Sequence, residues 1–201
     1  MGDASGNGAA AELARFVGLN EGIKEVVLLA FHINLMALNA ILLAHRAGEL
    51  ARGFSVISKE LRMLAVELTK RMDRVSTEAA GMVGLISRLL SQERRQRLLR
   101  LTQERMARPL PRLEAVLGQH QDEHDRLMRR VAEARASMLE ALEETRVLCQ
   151  FGTALARSAK IEAAYGQSFQ AALGEVSREF DDKTQCILPA IDSLCMGMKN
   201  R

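Results

Sequence analysis

Apolar residues recur at every third or fourth position along almost the whole chain, and that period is helical. Between Gly22 and Ala47 they form two adjoining stripes. One runs through Leu28, Phe31, Leu35, Leu38 and Leu42, and the other through Leu29, Ile33, Met36, Ala40 and Leu43. Alternating steps of three and four are the spacing of coiled-coil seams, and two stripes on one helix imply more than one neighbour. The pattern pauses where Gly48 and Gly53 bracket "ELAR", a polar stretch suited to a tight turn between helices. It resumes at Phe54 and continues through Ile57, Leu61, Leu64, Leu68, Met72, Val75, Ala79, Met82, Ile86 and Leu89. No proline interrupts that run, which predicts one long second helix with a sustained seam.

The seam enters an arginine-rich stretch from Arg94 to Arg112, and Pro109 and Pro111 then end or kink the helix. Leu127, Val131, Ala134, Met138, Ala141, Thr145 and Leu148 predict a third helix, with a break expected at Gly152. A fourth is expected from about Ala154 towards Ile191, through Leu155, Ile161, Phe169, Leu173, Val176 and Phe180, with Pro189 disturbing its last turns. The predicted fold is all-α. It is a long antiparallel coiled-coil hairpin plus a second helical pair, resembling a four-helix bundle. The expected organisation is a flexible tail over 1–12, the hairpin over 13–108 with its turn near 48–53, and the helical pair over 113–198. The second helix outruns the first, so its remaining seam needs cover from the later helices or from another subunit. A homodimer or higher homo-oligomer is the corresponding expectation.

Composition supports helix over sheet: the chain has no Trp, one Tyr and three Pro. Its formal charge of +3 is too small to argue for a nucleic-acid partner. Cys149, Cys186 and Cys195 are an odd number without a close pair, as in a reduced, cytoplasmic protein. The opening residues lack the layout of a signal peptide. Residues 26–44 are apolar and long enough to cross a bilayer, but His32, Asn34 and Asn39 would be costly in lipid. A helix buried among other helices accounts for the same apolar girth, so no membrane span is expected.

The stretch "FHINLMALNAILLAHRAGELARGFSVISKELRMLA", residues 31–65, resembles the signalling tip of bacterial chemoreceptors, the methyl-accepting chemotaxis proteins. The resemblance extends over about residues 22–90, as a short and divergent member. Agreement includes Asn34, Leu35, Ala37, Leu38, Asn39, Ala40, Arg46, Ala47, Gly48, Glu49, Arg52, Gly53, Phe54, Val56, Glu60, Arg62 and Leu64, without gaps. The resemblance implies a hairpin whose tip binds a chemotaxis coupling protein and a histidine kinase, from dimers that associate further. It places Leu38, Glu49, Arg52, Phe54 and Val56 where those partners dock. It places Phe31, Leu35, Asn39, Leu43 and Arg46 where dimers touch. Spacing alone makes Phe31, Leu35, Leu38 and Phe54 core of the hairpin, so both readings stand for them. Asn34 and Asn39 fit a second role, since a polar residue in an apolar seam often fixes register or partner number.

This chain departs from the family pattern at Leu43, where the family carries glutamate, at His45 in place of alanine, and at Ala51 in place of glycine. The Leu43 departure bears on the usual association of dimers. Receptor adaptation sites are paired Glu or Gln among small residues; Glu143 and Glu144 come nearest, and their flanks do not fit. The function implied is non-enzymatic chemosensory signal transduction. The alternative is a structural coiled-coil adaptor or decoy that has lost kinase control.

Two other patterns compete for a role. "HQDEH" puts His120 and His124 on one helical face, as two zinc ligands would be, but supplies no companions for a closed site. These are the only metal candidates, and no metal or other cofactor is expected. The arginine run has no aromatic residue for stacking bases and is interleaved with Glu93 and Glu104, which fits a solvated surface or an acidic partner better than nucleic acid. No nucleophile triad or phosphate-binding loop appears, so no enzyme is predicted.

Overall fold

The computed structural model describes the backbone over residues 4–105 and 111–199 and side chains over 17–105 and 114–199. Four helices make up nearly all of it, and no strand occurs among the described residues. Helix α1 spans Ala4–Ala47, α2 Arg52–Glu104, α3 Pro111–Ala164 and α4 Gln170–Lys199. Short 3-10 turns at Gly48–Ala51 and Gln167–Phe169 reverse the chain between α1 and α2 and between α3 and α4. The chain divides into two compact units. Val17–Ser76 with Leu139–Arg201 form one, and Met1–Phe16 with Thr77–Met138 form the other.

The unit of Val17–Ser76 and Leu139–Arg201 is a four-helix bundle built from two hairpins. Its α1 buries a line through Leu19, Ile23, Val26, Ala30, Ile33, Ala37, Ala40, Ala44 and Ala47. The line continues through Ala51 of the turn into Phe54, Ser58, Leu61, Leu64, Leu68, Met72 and Val75 of α2. Opposite them lie Leu142, Thr145, Cys149, Ala156, Ala159 and Ala163 of α3, and Leu173, Phe180, Ile187, Ile191 and Leu194 of α4. Every step is three, four or seven residues, so one continuous face of each helix is buried.

Several contacts fix how these hairpins lie. A methyl group added at Gly53 would collide with the Glu162 carboxylate, which puts the start of α2 beside the end of α3. One added at Gly22 would meet Leu194 Cδ2 at 2.6 Å, which puts α1 beside α4. Arg71 Nη1 donates to Glu144 Oε2 at 3.3 Å, tying α2 to α3. Arg146 Nε donates to Asp192 Oδ1 at 2.8 Å and Lys199 Nζ to Glu143 Oε1 at 3.1 Å, tying α3 to α4. Both reversals therefore fall at the same end of the bundle. Within this unit α2 packs against both α1 and α3 of the same chain.

The helix boundaries differ from the sequence expectation in three places. α3 runs unbroken through Gly152, which is buried against Leu64, and ends only at Ala164. Leu155 and Ile161, expected on the fourth helix, therefore belong to α3. The real reversal uses Gly166 and Gln167, the latter at φ 45°, in the left-handed region. Pro189 lies inside α4, which continues to Lys199 with the proline ring on the exposed side. Helix α1 begins at Ala4, within the stretch expected as a tail. Pro111 is the first residue of α3, where its missing N–H costs nothing, whereas Pro109 lies outside the described residues.

In the other unit α2 and α3 also run side by side. Gln96 Nε2 donates to Gln121 Oε1 at 2.6 Å, and His120 Nδ1 lies 2.9 Å from Gln92 Oε1. Met82 and Leu127 are buried there, while Arg88, Arg94, Arg95, Arg97, Arg100 and Arg105 are exposed.

Candidate docking surface

The turn between α1 and α2 follows from its glycine. Gly48 takes φ +67°, a conformation that stops α1 at little cost only when there is no Cβ. Gly53 has no such requirement. It sits within the first turn of α2, and its lack of a side chain makes room for Glu162. Between them Ala51 turns inward and Glu49, Leu50 and Arg52 project outward. The Glu49 and Arg52 side chains are 89% and 80% exposed and meet at 3.4 Å, Arg52 Nη1 donating to Glu49 Oε2.

Above the turn, α1 carries an outer line opposite its buried one. Leu28, Phe31, Leu35 and Leu42 are large apolar side chains left in solvent; Phe31 is 52% and Leu42 61% exposed. Leu38 and Leu43 are half-buried, and Asn39 and Arg46 are exposed. The stripe through Leu28 and Phe31 is thus outer surface, while the α1 core is made largely of alanines that a search for bulk passes over. Asn34 is half-buried, and its Oδ1 has no hydrogen-bond partner among the described residues.

Of the residues expected at the tip, Glu49, Arg52 and Val56 are exposed, Leu38 is half-buried and Phe54 is fully buried. Phe54 packs the hairpin; it holds the turn in place from inside. On α2, Val56, Met63 and Val66 form a second outward line beside Lys59, Arg62 and Lys70. On α3, Val147, Phe151 and Ile161, with Tyr165 just past the helix end, form a third that sequence reasoning missed. Its signal was present as steps of four, three and four through Ala154 and Ser158, but the assumed break at Gly152 divided it.

Residues 19–109 match the family model of the methyl-accepting chemotaxis protein (MCP) signalling domain. It is an MCP-like signalling segment. Its relatives include methyl-accepting chemotaxis protein McpB of Pseudomonas aeruginosa, 44% identical over 59 residues, which are 29% of this chain and 8% of that protein. Methyl-accepting chemotaxis protein TlpB of Bacillus subtilis is 43% identical over 63 residues, 31% of this chain and 10% of that protein. Biofilm dispersion protein BdlA of Pseudomonas aeruginosa is 43% identical over 58 residues, 29% of this chain and 13% of that protein. The matched stretches are thus a small part of each relative. No solved structure matches. The MCP-like segment takes in most of α1 and all of α2, while α3 and α4 lie beyond it.

The remaining chemistry is structural. His124 Nε2 lies 3.5 Å from Glu93 Oε1 and its Nδ1 3.5 Å from Asp125 Oδ1, while His120 is engaged with Gln92. Among the described residues no group of three or more His, Cys, Asp or Glu side chains gathers where a metal would sit. In the bundle, Lys160 donates to the largely buried Asp181, and that hydrogen bond holds the Asp181 carboxyl below its ordinary range despite burial. Burial pushes the Cys149 thiol up to about 12 and also raises Cys195. Between Val17 and Glu104 one window is long and apolar enough to cross a membrane, and 28% of it is buried in the fold.

Proposed function

We propose that this protein is a non-enzymatic, cytoplasmic chemosensory signalling protein. Its α1–α2 tip docks a coupling protein and through it a histidine kinase. One observation carries this reading: Glu49 and Arg52 agree with the chemoreceptor tip and are nearly fully exposed. Folding needs the left-handed Gly48 but makes little use of two solvated charges whose pairing is typically worth about 0.2–1 kcal/mol. Charge retained at a solvent-facing reversal is what a docking partner reads. Val56 extends the face along α2, and Phe31, Leu35, Asn39, Leu43 and Arg46 extend it along α1, as the surface through which signalling units touch.

The test is a double substitution, Glu49→Ala with Arg52→Ala, assayed for binding to the coupling protein. The expected result is unchanged helicity and melting with binding weakened at least severalfold. Parental affinity would remove the tip from the docking surface. A structural adaptor or decoy is the second reading, favoured by α3 and α4, which lie outside the MCP-like segment and close the bundle without a second subunit. A kinase assay separates the two: the signalling reading expects kinase output to change when this protein is added, and the adaptor reading expects binding without that change.

A further inference from the structure

In the unit of Met1–Phe16 and Thr77–Met138, α2 and α3 leave a hollow of about 440 Å³ between them. Gln92 meets His120 and Glu93 meets His124, so the antiparallel helices bring Gly81 and Gly84 across from Ala134 and Ser137, and Arg88 across from Arg130. Four small residues facing one another leave the cleft unfilled, and Met82 and Leu85 give it an apolar lining. The fold does not require the two glycines. Both keep ordinary helical backbone angles, and a methyl group on either would meet nothing within 4 Å. Each weakens α2 relative to alanine. The hollow is also electrically one-sided. Arg88 and Arg130 are exposed and line one end from opposite helices, and neither has an ion pair or hydrogen bond among the described residues. Glu78 closes the other end, about 15 Å back along α2.

We infer that this hollow binds a medium-chain fatty acid, with its carboxylate between Arg88 and Arg130 and its tail along Gly81, Gly84 and Met82. The two guanidinium groups offer the carboxylate charge-assisted hydrogen bonds that neither makes within the fold. The tail covers apolar lining that is otherwise open to water, and the glycines let it lie close against the α2 backbone. Glu78 sets the direction, because a carboxylate at its end would meet like charge. A hollow of this size seats one tail and not the two of a bilayer lipid. The inference uses no part of the kinase-docking reading and is measured without the coupling protein.

Its test titrates the full chain with octanoate, below the concentration at which it forms micelles, and follows backbone amides by nitrogen–proton correlation NMR. Saturable shifts are expected at Gly81, Gly84, Ala134 and Ser137. Octanol and octylammonium carry the same tail without the negative charge and should bind at least about tenfold more weakly. Arg88→Gln and Arg130→Gln should each weaken octanoate by about tenfold, at unchanged helix content. Gly81→Leu should fill the hollow and abolish binding while the protein stays folded, since the added side chain starts in open space. If that variant loses helix, Ser137→Leu makes the same block from α3. Vesicles of phosphatidylglycerol should not carry the protein down on sedimentation. Octanol or octylammonium binding as tightly as octanoate, parental affinity in the blocked variant, shifts confined to other parts of the chain, or capture by the vesicles would each overturn the inference.

Discussion

Gly152 of α3 lies so close to Leu64 of α2 that a methyl group in its place would sit 3.0 Å from Leu64 Cδ1. The glycine is therefore a point of close helix approach in the middle of an unbroken helix. Gly152→Ala should be nearly neutral, since about 1 kcal/mol of helix propensity offsets a slightly tight contact. Gly152→Val should destabilise by about 1–3 kcal/mol through overpacking. Combining it with Leu64→Ala should cost less than the sum of the two, by about 0.5–3 kcal/mol, in denaturant titrations.

Phe54 and Phe31 are the same residue type in opposite situations. Phe54 is fully buried beneath the turn, so Phe54→Ala should cost about 3–5 kcal/mol. Phe31 is half in solvent, so Phe31→Ala should stay within about 0.5 kcal/mol of the parent. Urea unfolding of the two variants measures the difference. Equal losses would mean that Phe31 is covered in solution.

The contrast explains what was legible in the sequence. The α2 seam could be read because its buried positions are leucines, methionines and valines at regular spacing. The α1 core was legible only in part, at Ile33 and Ala40 of its second stripe, because Ala30, Ala37 and Ala44 supply much of the rest while Leu28, Phe31, Leu35 and Leu42 face out. Hydrophobic bulk marks a core only where helices leave room for it; small side chains mark the places where they come closest. The turn between α1 and α2 was legible through Gly48 and Gly53 and through a long ungapped agreement with a known family. The α3 line and the contact of Glu162 with Gly53 were not, since each depends on where the second reversal falls.

Lys160 and Asp181 tie α3 to α4 with the carboxylate largely buried and the ammonium partly in water. Lys160→Met should cost about 1–3 kcal/mol at neutral pH, by leaving a buried charge without its donor. The folded Asp181 titrates below its unfolded value, so this stabilisation is full above the unfolded value of about 4 and fades as pH falls through the folded one. Guanidinium melts of parent and variant should therefore converge in acid. A gap that stays constant down to the acid limit would assign the loss to packing.

The thiols should react very unequally. Cys186 is exposed, whereas Cys149 and Cys195 are buried and held protonated by burial. Brief treatment of the native protein with iodoacetamide at mildly alkaline pH should add one group, at Cys186. Peptide mass spectrometry reads the site, and unfolding in denaturant should open the other two.

Because both reversals share one end, α1 near Gly22 and α4 near Leu194 meet side by side far from them. That geometry has a mechanical consequence. Load applied between those two points peels adjacent helices apart one contact at a time, starting at the open end, whereas load along a single helix would have to shear its whole seam at once. In an optical trap, tethers at those positions should therefore give way at low force, and the turn carrying Glu49 and Arg52 should be the last part of the bundle to feel the pull.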